Sequence, residues 1–121
     1  MAYFAYQQEW LHSILDSGPD PIGQCVPVGS TFPSDLTLRI LPIGASIMFG
    51  YASTDKNGFR ASLRSQLVAN GAPVNFVGEL QSGSMVDNDN SGFIGLRLDQ
   101  IFTPLEHALP WLPNLILVNI G

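Results

Sequence analysis

The chain has 121 residues, of which 45% are hydrophobic and 12% are charged, a composition typical of one folded domain rather than of a disordered segment. Ten Asp and Glu residues outnumber five Lys and Arg residues, and the net charge of −5, with no cluster of cations, argues against nucleic acid as a partner. The single cysteine, Cys25, excludes an intrachain disulfide and a thiolate metal cage.

The sequence indicates neither a membrane span nor a clear signal peptide. No stretch approaches the roughly 20 apolar residues that a membrane-spanning helix needs. The apolar start at residues 1–6 has no basic residue before it and is interrupted by Gln7-Gln8-Glu9, which gives a secretory signal little support. These features do not indicate a cellular compartment for the protein.

Residues 1–35 are predicted to form a helix followed by a connecting arm. Apolar side chains recur at near-helical spacing over residues 1–16, and Gly18-Pro19-Asp20-Pro21 ends any such helix. The segment 18–35 is rich in Pro, Gly and Ser and has no apolar periodicity, as is typical of an extended connector. The folded domain is therefore predicted at residues 36–121.

Three short apolar runs predict the strands of this domain. They lie at residues 38–43, 74–77 and 115–120, and strands that are buried on both faces have this character. Two helices are predicted between them. Strand and helix thus alternate in the order βαβαβ, which predicts an α/β fold with a parallel sheet and right-handed crossovers.

The first predicted helix has Phe59, Leu63 and Leu67 at four-residue spacing on its apolar face, with Arg60 on the other face. The second is predicted over about residues 97–109. Between them, a long polar loop is predicted at residues 79–95, and such loops often carry function. In parallel sheets, ligands bind where the strands end at their carboxyl termini.

Ser46 follows the first predicted strand directly, in the run Gly44-Ala45-Ser46, at an edge that suits a nucleophile. The G-x-S-x-G elbow of α/β-hydrolases does not apply, because Met48 takes the place of its second glycine. On this feature alone, a serine in a turn or at a helix N-cap is the more common interpretation.

The run LRILPIGASIMFG at residues 38–50 resembles the first block of the SGNH/GDSL-type serine hydrolases, a strand followed by G-D-S-I/L-T-x-G. The resemblance continues through residues 51–55, 57–78 and 91–101, and it extends from about Leu36 to Gly121. It points to the branch with carbohydrate acetyl esterases and lysophospholipase-like enzymes. It implies a three-layer α/β/α fold with a flavodoxin-like parallel sheet, of which this chain has the first three strands.

The same resemblance implies a site and a reaction. Ser46 would be the nucleophile, and the backbone N–H groups of Ser46 and Gly95 would form the oxyanion hole. The substrate would be an acyl ester of a carbohydrate or a lysophospholipid-like molecule, with no cofactor and no metal. Without the resemblance, Gly95 would be interpreted as a loop glycine that needs a positive φ.

The sequence also departs from the family pattern. Ala45 stands where the family has Asp, and Phe93 stands where related sequences often have His. The chain ends on Gly121, which matches the glycine of the third block, G-x-N-D, so the oxyanion Asn and the later D-x-x-H block are absent. We therefore expect a truncated chain with negligible esterase activity, and whether it is an enzyme stays open.

Two other features are interpreted as structural. His12 and His107 are predicted to be surface or helix-end histidines rather than the missing base. The run Asp87-Asn88-Asp89-Asn90-Ser91-Gly92 imitates the start of an EF-hand loop, but Leu98 stands at its twelfth position in place of Glu. A solvated Asn/Asp turn is predicted there instead of a calcium site.

Three functions stay open at the level of sequence. The first is the ester hydrolase, the second is a non-catalytic binding module that keeps the cleft, and the third is a non-functional fragment of the hydrolase fold. The third predicted strand has an outer edge without a partner, and self-association through that edge is expected. Localisation is not determined, although relatives of this branch are often secreted.

Overall fold

The computed structural model describes residue 33 and residues 35–121, so the predicted helix and arm at residues 1–35 lie almost wholly outside the described residues. The elements in chain order are β1 (Leu38–Gly44), α1 (Ser46–Phe49), α2 (Arg60–Ala69), β2 (Val74–Phe76), β3 (Leu80–Gln81), β4 (Asp89–Gly92), α3 (Phe102–Ala108) and β5 (Leu115–Asn119). Short 3-10 turns at Leu98–Gln100 and Leu109–Trp111 flank α3.

Strand β1 is the centre of the sheet and is paired along both edges. One edge takes β5 in parallel register, ending with Gly44 beside Asn119. The other edge takes β2 in its first half and β4 at its end, where Gly44 lies beside Gly92, and both pairs are parallel. In the described part of the sheet, β3 and β4 form the antiparallel pair. The predicted α/β class with a parallel sheet is confirmed, and the observed sheet adds the antiparallel pair of β3 and β4 to its parallel strands.

Side chains that alternate along β1 bury both faces of the sheet. Leu41 and Ile43 pack in one cluster with Val77, and α3 covers this cluster through Ala108. Ile40, one residue from Leu41, points to the opposite face and is also fully buried. The sheet is therefore covered on both sides, as expected for parallel strands.

The polar segment at residues 79–95 contains two strands that the sequence pattern did not predict. β4 has the sequence DNSG, so it has no apolar run to reveal it, and its pairing with β1 depends on backbone hydrogen bonds. The second helix is shorter than predicted. It begins at Phe102, because Pro104 lacks an N–H and is tolerated only in the first turn.

The prediction that Arg60 lies on the outer face of the first helix is wrong. Its side chain is fully buried, whereas Phe59 is exposed over 37% of its surface. Arg60 lies three and seven residues before Leu63 and Leu67, so helical geometry places it on their side as readily as Phe59. The prediction placed Phe59 on the buried face because Phe59 is apolar, but Arg60 is the residue that is buried there.

Strand β5 pairs with β1 along one edge, and no described residue pairs with its other edge. Four of its five residues are half-buried, and Asn119 is exposed. Within residues 35–121, none of the helices combines the length and the apolar character that crossing a bilayer requires.

Candidate functional site

The turn that carries Ser46 is shaped by the close approach of β5. Gly44 has a φ of +147°, and a Cβ at this position would overlap the carbonyl oxygen of Asn119. The same oxygen accepts a hydrogen bond from Ala45 N–H over 3.0 Å. Only glycine fits where the strand ends so close to its neighbour. The chain then turns, and Ser46 becomes the first residue of α1.

Helix α1 is a single short turn with a defined end. Gly50 closes it in the left-handed conformation, with a φ of +83°. The carbonyl oxygen of Ser46 accepts hydrogen bonds from the N–H groups of Gly50 and Tyr51, each over 3.1 Å. Ser46 itself is half-buried. Its backbone is thus fixed on the carbonyl side, and its side chain lies at the carboxyl end of β1, as predicted.

A second loop leaves the sheet beside this turn. Gly92 packs directly against α1, since a Cβ there would overlap the backbone nitrogen of Phe49. The next residue, Phe93, donates its N–H to the carbonyl oxygen of Gly44 over 2.8 Å. The loop at residues 93–96 is therefore anchored two residues before Ser46.

Gly95 occupies the third position of a tight turn in this loop. Leu96 N–H donates to the carbonyl oxygen of Phe93 over 2.9 Å, and Gly95 has a φ of +80°, as a type II turn requires. Gly95 is exposed, and no atom lies within 4 Å of a Cβ built on it. The positive φ agrees with the alternative interpretation of Gly95 as a loop glycine, while the oxyanion role of Gly95 stays a prediction.

The two backbone N–H groups that the resemblance predicts for an oxyanion hole are available as donors. Among the residues that the structure describes, neither Ser46 N–H nor Gly95 N–H donates a hydrogen bond to another protein group. An oxyanion hole needs donors that are held in place and not already used. These two groups lie on neighbouring loops at the same end of the sheet.

His107, the histidine within residues 35–121, has a partner of its own. Its Nδ1 lies 3.3 Å from Glu79 Oε1, and its side chain is 61% exposed. It stands on α3, as the predicted helix-end histidine, and it makes no hydrogen bond to Ser46. His12 lies outside the described residues. The structure thus brings no described imidazole to Ser46.

The two departures from the family pattern lie in these same loops. Ala45 is half-buried, and its backbone N–H donates to Asn119 O. Its methyl side chain offers no carboxylate at this position. Phe93 is half-buried in the second loop and supplies an apolar side chain. An open depression of about 700 Å³ adjoins Gly95, with Ser46 outside its lining; the lining residues are Phe93, Ile94, Gly95, Leu96, Asp99, Gln100, Thr103 and Pro104.

The segment that imitates an EF-hand loop is used for internal hydrogen bonds. Asp87 Oδ2 accepts from Phe76 N–H over 2.8 Å and lies 3.4 Å from Arg64 Nε. Asp89 accepts from the side chain of Gln81 over 2.9 Å. Asn90 is fully buried rather than solvated, because it belongs to β4. The prediction of a solvated turn is wrong at this residue.

The buried guanidinium of Arg60 is the feature near the site that sequence reasoning missed. Its Nη2 lies within 3.1 Å of oxygens of Phe49, Lys56 and Ser82, and its Nη1 donates to Asn88 O over 2.9 Å. Burial lowers the pKa of Arg60, and the charge of Asp55 opposes that change. No carboxylate among the described residues forms an ion pair with it. It is a buried cation that backbone oxygens surround.

The parallel-dominated sheet, with a serine turn at the end of its central strand, belongs to an α/β fold that is esterase-like by its similarity to a solved structure. The chain is similar in structure to the Clostridium thermocellum family 3 carbohydrate esterase, with a TM-score of 0.67 and 28% sequence identity over 71% of this chain. The match spans 44% of the length of that esterase. No protein-family model and no curated protein matches the sequence.

Proposed function

We propose that this chain carries the nucleophile-bearing part of a serine ester hydrolase site, with Ser46 as the attacking residue. The backbone N–H groups of Ser46 and Gly95 would serve as the oxyanion donors. The observation that carries the proposal is that both N–H groups are free of protein partners among the described residues. Ser46 stands at the end of β1, and Gly95 stands in the loop after β4 that Phe93 N–H ties to Gly44 O. The similarity to a carbohydrate esterase supports the same reaction class.

The reaction proceeds by acyl transfer in two steps. Ser46 Oγ attacks the carbonyl carbon of an acyl ester, and a negative charge develops on the carbonyl oxygen. The N–H groups of Ser46 and Gly95 stabilise this charge, and the alcohol leaves with a proton. Water then cleaves the acyl-serine in the second step. Each step needs a base that takes a proton from the attacking oxygen.

The residues that the structure describes supply no such base, since their histidine, His107, lies beside Glu79. Loss of the base of a serine protease triad costs about 10⁶ in turnover. We therefore propose that this chain by itself turns over esters at a negligible rate. The substrate class is an acyl ester, with the acetyl ester of a carbohydrate ahead of a lysophospholipid-like substrate because the similar structure is a carbohydrate esterase.

The nucleophile is tested with a fluorophosphonate probe, which phosphonylates activated serines, followed by mass spectrometry to locate the modified residue. We expect slow modification that occurs first at Ser46 and is abolished in Ser46→Ala. Ser62 is an exposed serine on α2 and provides the matched control, because Ser62→Ala should leave the modification unchanged. Modification that is spread over exposed serines, or that persists in Ser46→Ala, would contradict the proposal.

A second candidate is a non-catalytic binding module that keeps the cleft. The half-buried Ala45 favours it, because a nucleophile turn without its carboxylate is less well prepared for chemistry. This candidate predicts that acetylated oligosaccharides shift the NMR signals of Ser46 and Gly95 although Ser46 resists the probe. Deacetylated oligosaccharides serve as the control. Equal shifts with both ligands, or none with either, would remove this candidate.

A further inference from the structure

Arg60 is an unusual residue to bury. Its side chain is fully inaccessible, yet among the described residues its contacts are to carbonyl and hydroxyl oxygens rather than to a carboxylate. Its Nε has no hydrogen-bond partner. A buried charge without a counter-ion is unfavourable for folding, and an apolar side chain of similar size avoids that cost. The contacts of Arg60 therefore point to a role other than core filling.

These contacts join segments that are distant in sequence. Nη2 reaches Phe49 O at the end of α1 over 3.1 Å and Ser82 O after β3 over 2.9 Å. Nη1 reaches Asn88 O before β4 over 2.9 Å. A planar guanidinium offers donors in a fixed fork, whereas the single ammonium of lysine does not. One side chain thus holds α1 and both ends of the segment between β3 and β4.

The hydrogen bond from Arg60 to Phe49 O connects the guanidinium to Ser46 through α1. Helix α1 contains only Ser46–Phe49, so the residue held by Arg60 lies one turn after the proposed nucleophile. Phe49 O also accepts from Ser82 Oγ over 2.6 Å. Two buried donors therefore fix the end of α1, and through this single turn they fix its start.

The hydrogen bond from Arg60 to Ser82 Oγ connects the guanidinium to the loop of Gly95. Ser82 Oγ accepts from Asn90 Nδ2 over 2.9 Å, and Asn90 Oδ1 accepts from Gly92 N–H over 3.0 Å. Gly92 is the last residue of β4, and the loop with Gly95 follows it directly. The same guanidinium thus connects to both loops that carry the proposed oxyanion donors.

We propose that Arg60 is a positioning residue that sets the distance and orientation of the Ser46 and Gly95 N–H groups relative to each other. The inference rests on the proposed function for the roles of these two residues. Arg60 does not touch the substrate. It acts through Phe49 on one side and through Ser82, Asn90 and Gly92 on the other.

The test compares Arg60→Lys with Arg64→Lys on the same helix. Arg64 is partly exposed and lies 3.4 Å from Asp87, so its replacement controls for the loss of a guanidinium from α2. Backbone amide NMR spectra of the folded proteins are recorded. In Arg60→Lys, the Ser46 and Gly95 amides are expected to shift or broaden together, whereas in Arg64→Lys both stay in place. Fluorophosphonate modification of Ser46 should slow at least about tenfold in Arg60→Lys alone.

A purely structural role would lower the unfolding temperature but leave the Ser46 and Gly95 amides of the folded protein unmoved, and that result would overturn the proposal. If Arg60→Lys does not fold, Ser82→Ala decides, because it breaks the link between Phe49 and Asn90 and keeps the charge. Unmoved Ser46 and Gly95 amides in Ser82→Ala would then overturn it. If wild-type Ser46 resists the probe, the proposed function fails, while the NMR comparison still decides on Arg60.

Discussion

The N–H of Phe93 donates to the carbonyl oxygen of Gly44 over 2.8 Å, and this bond ties the loop of Gly95 to the strand end that presents Ser46. Gly44 is at the same time paired with Asn119 on the other edge of β1. The carboxyl ends of β1, β4 and β5 therefore meet at Gly44, and the candidate site surrounds this residue.

Gly44→Ala is expected to lower the free energy of unfolding by about 3 kcal/mol, the combined effect of an unfavourable backbone region and of overlap with Asn119 O. The measurement is urea denaturation followed by circular dichroism. Gly71→Ala is the matched control, because Gly71 also has a positive φ of +84° but has open space around it. A cost of about 1 kcal/mol is expected there. Equal decreases in the free energy of unfolding for the two variants would show that Asn119 moves away from the new methyl group at no cost.

Wild-type protein is expected to hydrolyse p-nitrophenyl acetate no faster than Ser46→Ala, because no described imidazole hydrogen-bonds Ser46. The release of p-nitrophenol is followed at equal protein concentrations, with buffer as the reference. Hydrolysis above the reference that disappears in Ser46→Ala would mean that a proton acceptor reaches Ser46 after all.

Asn90→Ala is expected to lower the free energy of unfolding by about 2 to 3 kcal/mol, since it leaves the buried Gly92 N–H without its acceptor and removes the donor Asn90 Nδ2 from Ser82 Oγ. Asn75→Ala provides the control, because Asn75 is exposed. Chemical denaturation measures both variants. A loss below about 0.5 kcal/mol for Asn90→Ala, within the range of ordinary surface changes, would show that water replaces the side chain at no cost.

The carboxylate of Asp55 should stabilise the fold in a pH-dependent manner. Hydrogen bonds from the backbone and side chain of Asn57 lower the pKa of Asp55 below its ordinary value of 3.8. A lowered pKa in the folded state means that the contribution is complete above pH 3.8 and is lost as the pH falls through the folded-state value.

The difference in unfolding temperature between wild type and Asp55→Asn should therefore be constant from pH 7 to about pH 5 and shrink below about pH 4. Asp35→Asn, at an exposed residue, controls for the change in net charge. A difference that is the same across the whole range would contradict a role for ionised Asp55.

The unpaired edge of β5 is expected to cause association at high protein concentration, since its backbone groups have no partner among the described residues. Light scattering over a concentration series measures this directly. Backbone hydrogen exchange of Leu115–Asn119 should slow as the concentration rises. A monomer at every concentration would contradict the expectation.

Much of the fold follows from apolar runs in the sequence. β1, β2 and β5 are predicted by such runs because their side chains fill a core on both faces of the sheet. β3 and β4 are not, because Asp89–Gly92 is polar and is held by backbone pairing to β1. A pattern based on hydrophobicity carries no information on such pairing.

In the candidate site too, features that depend on local sequence could be predicted, and features that depend on distant residues could not. The position of Ser46 after β1 and the positive φ of Gly95 are foreseeable, since both depend on local sequence. The burial of Arg60 is not, because it depends on oxygens supplied by Ser82 and Asn88, more than 20 residues away in the chain. Long-range polar contacts of this kind leave no periodic signal.

The hydrogen bond from Ala45 to Asn119 has a consequence for biosynthesis. The residues at its two ends are separated by most of the described chain, so Ala45 N–H must wait for its acceptor until β5 has been translated and docked. Early in synthesis, the segment around Ser46 therefore lacks the contact that shapes it. A nascent chain that pauses before β5 would carry Ser46 on a turn that has its local hydrogen bonds but lacks the bond from Ala45 N–H to Asn119 O.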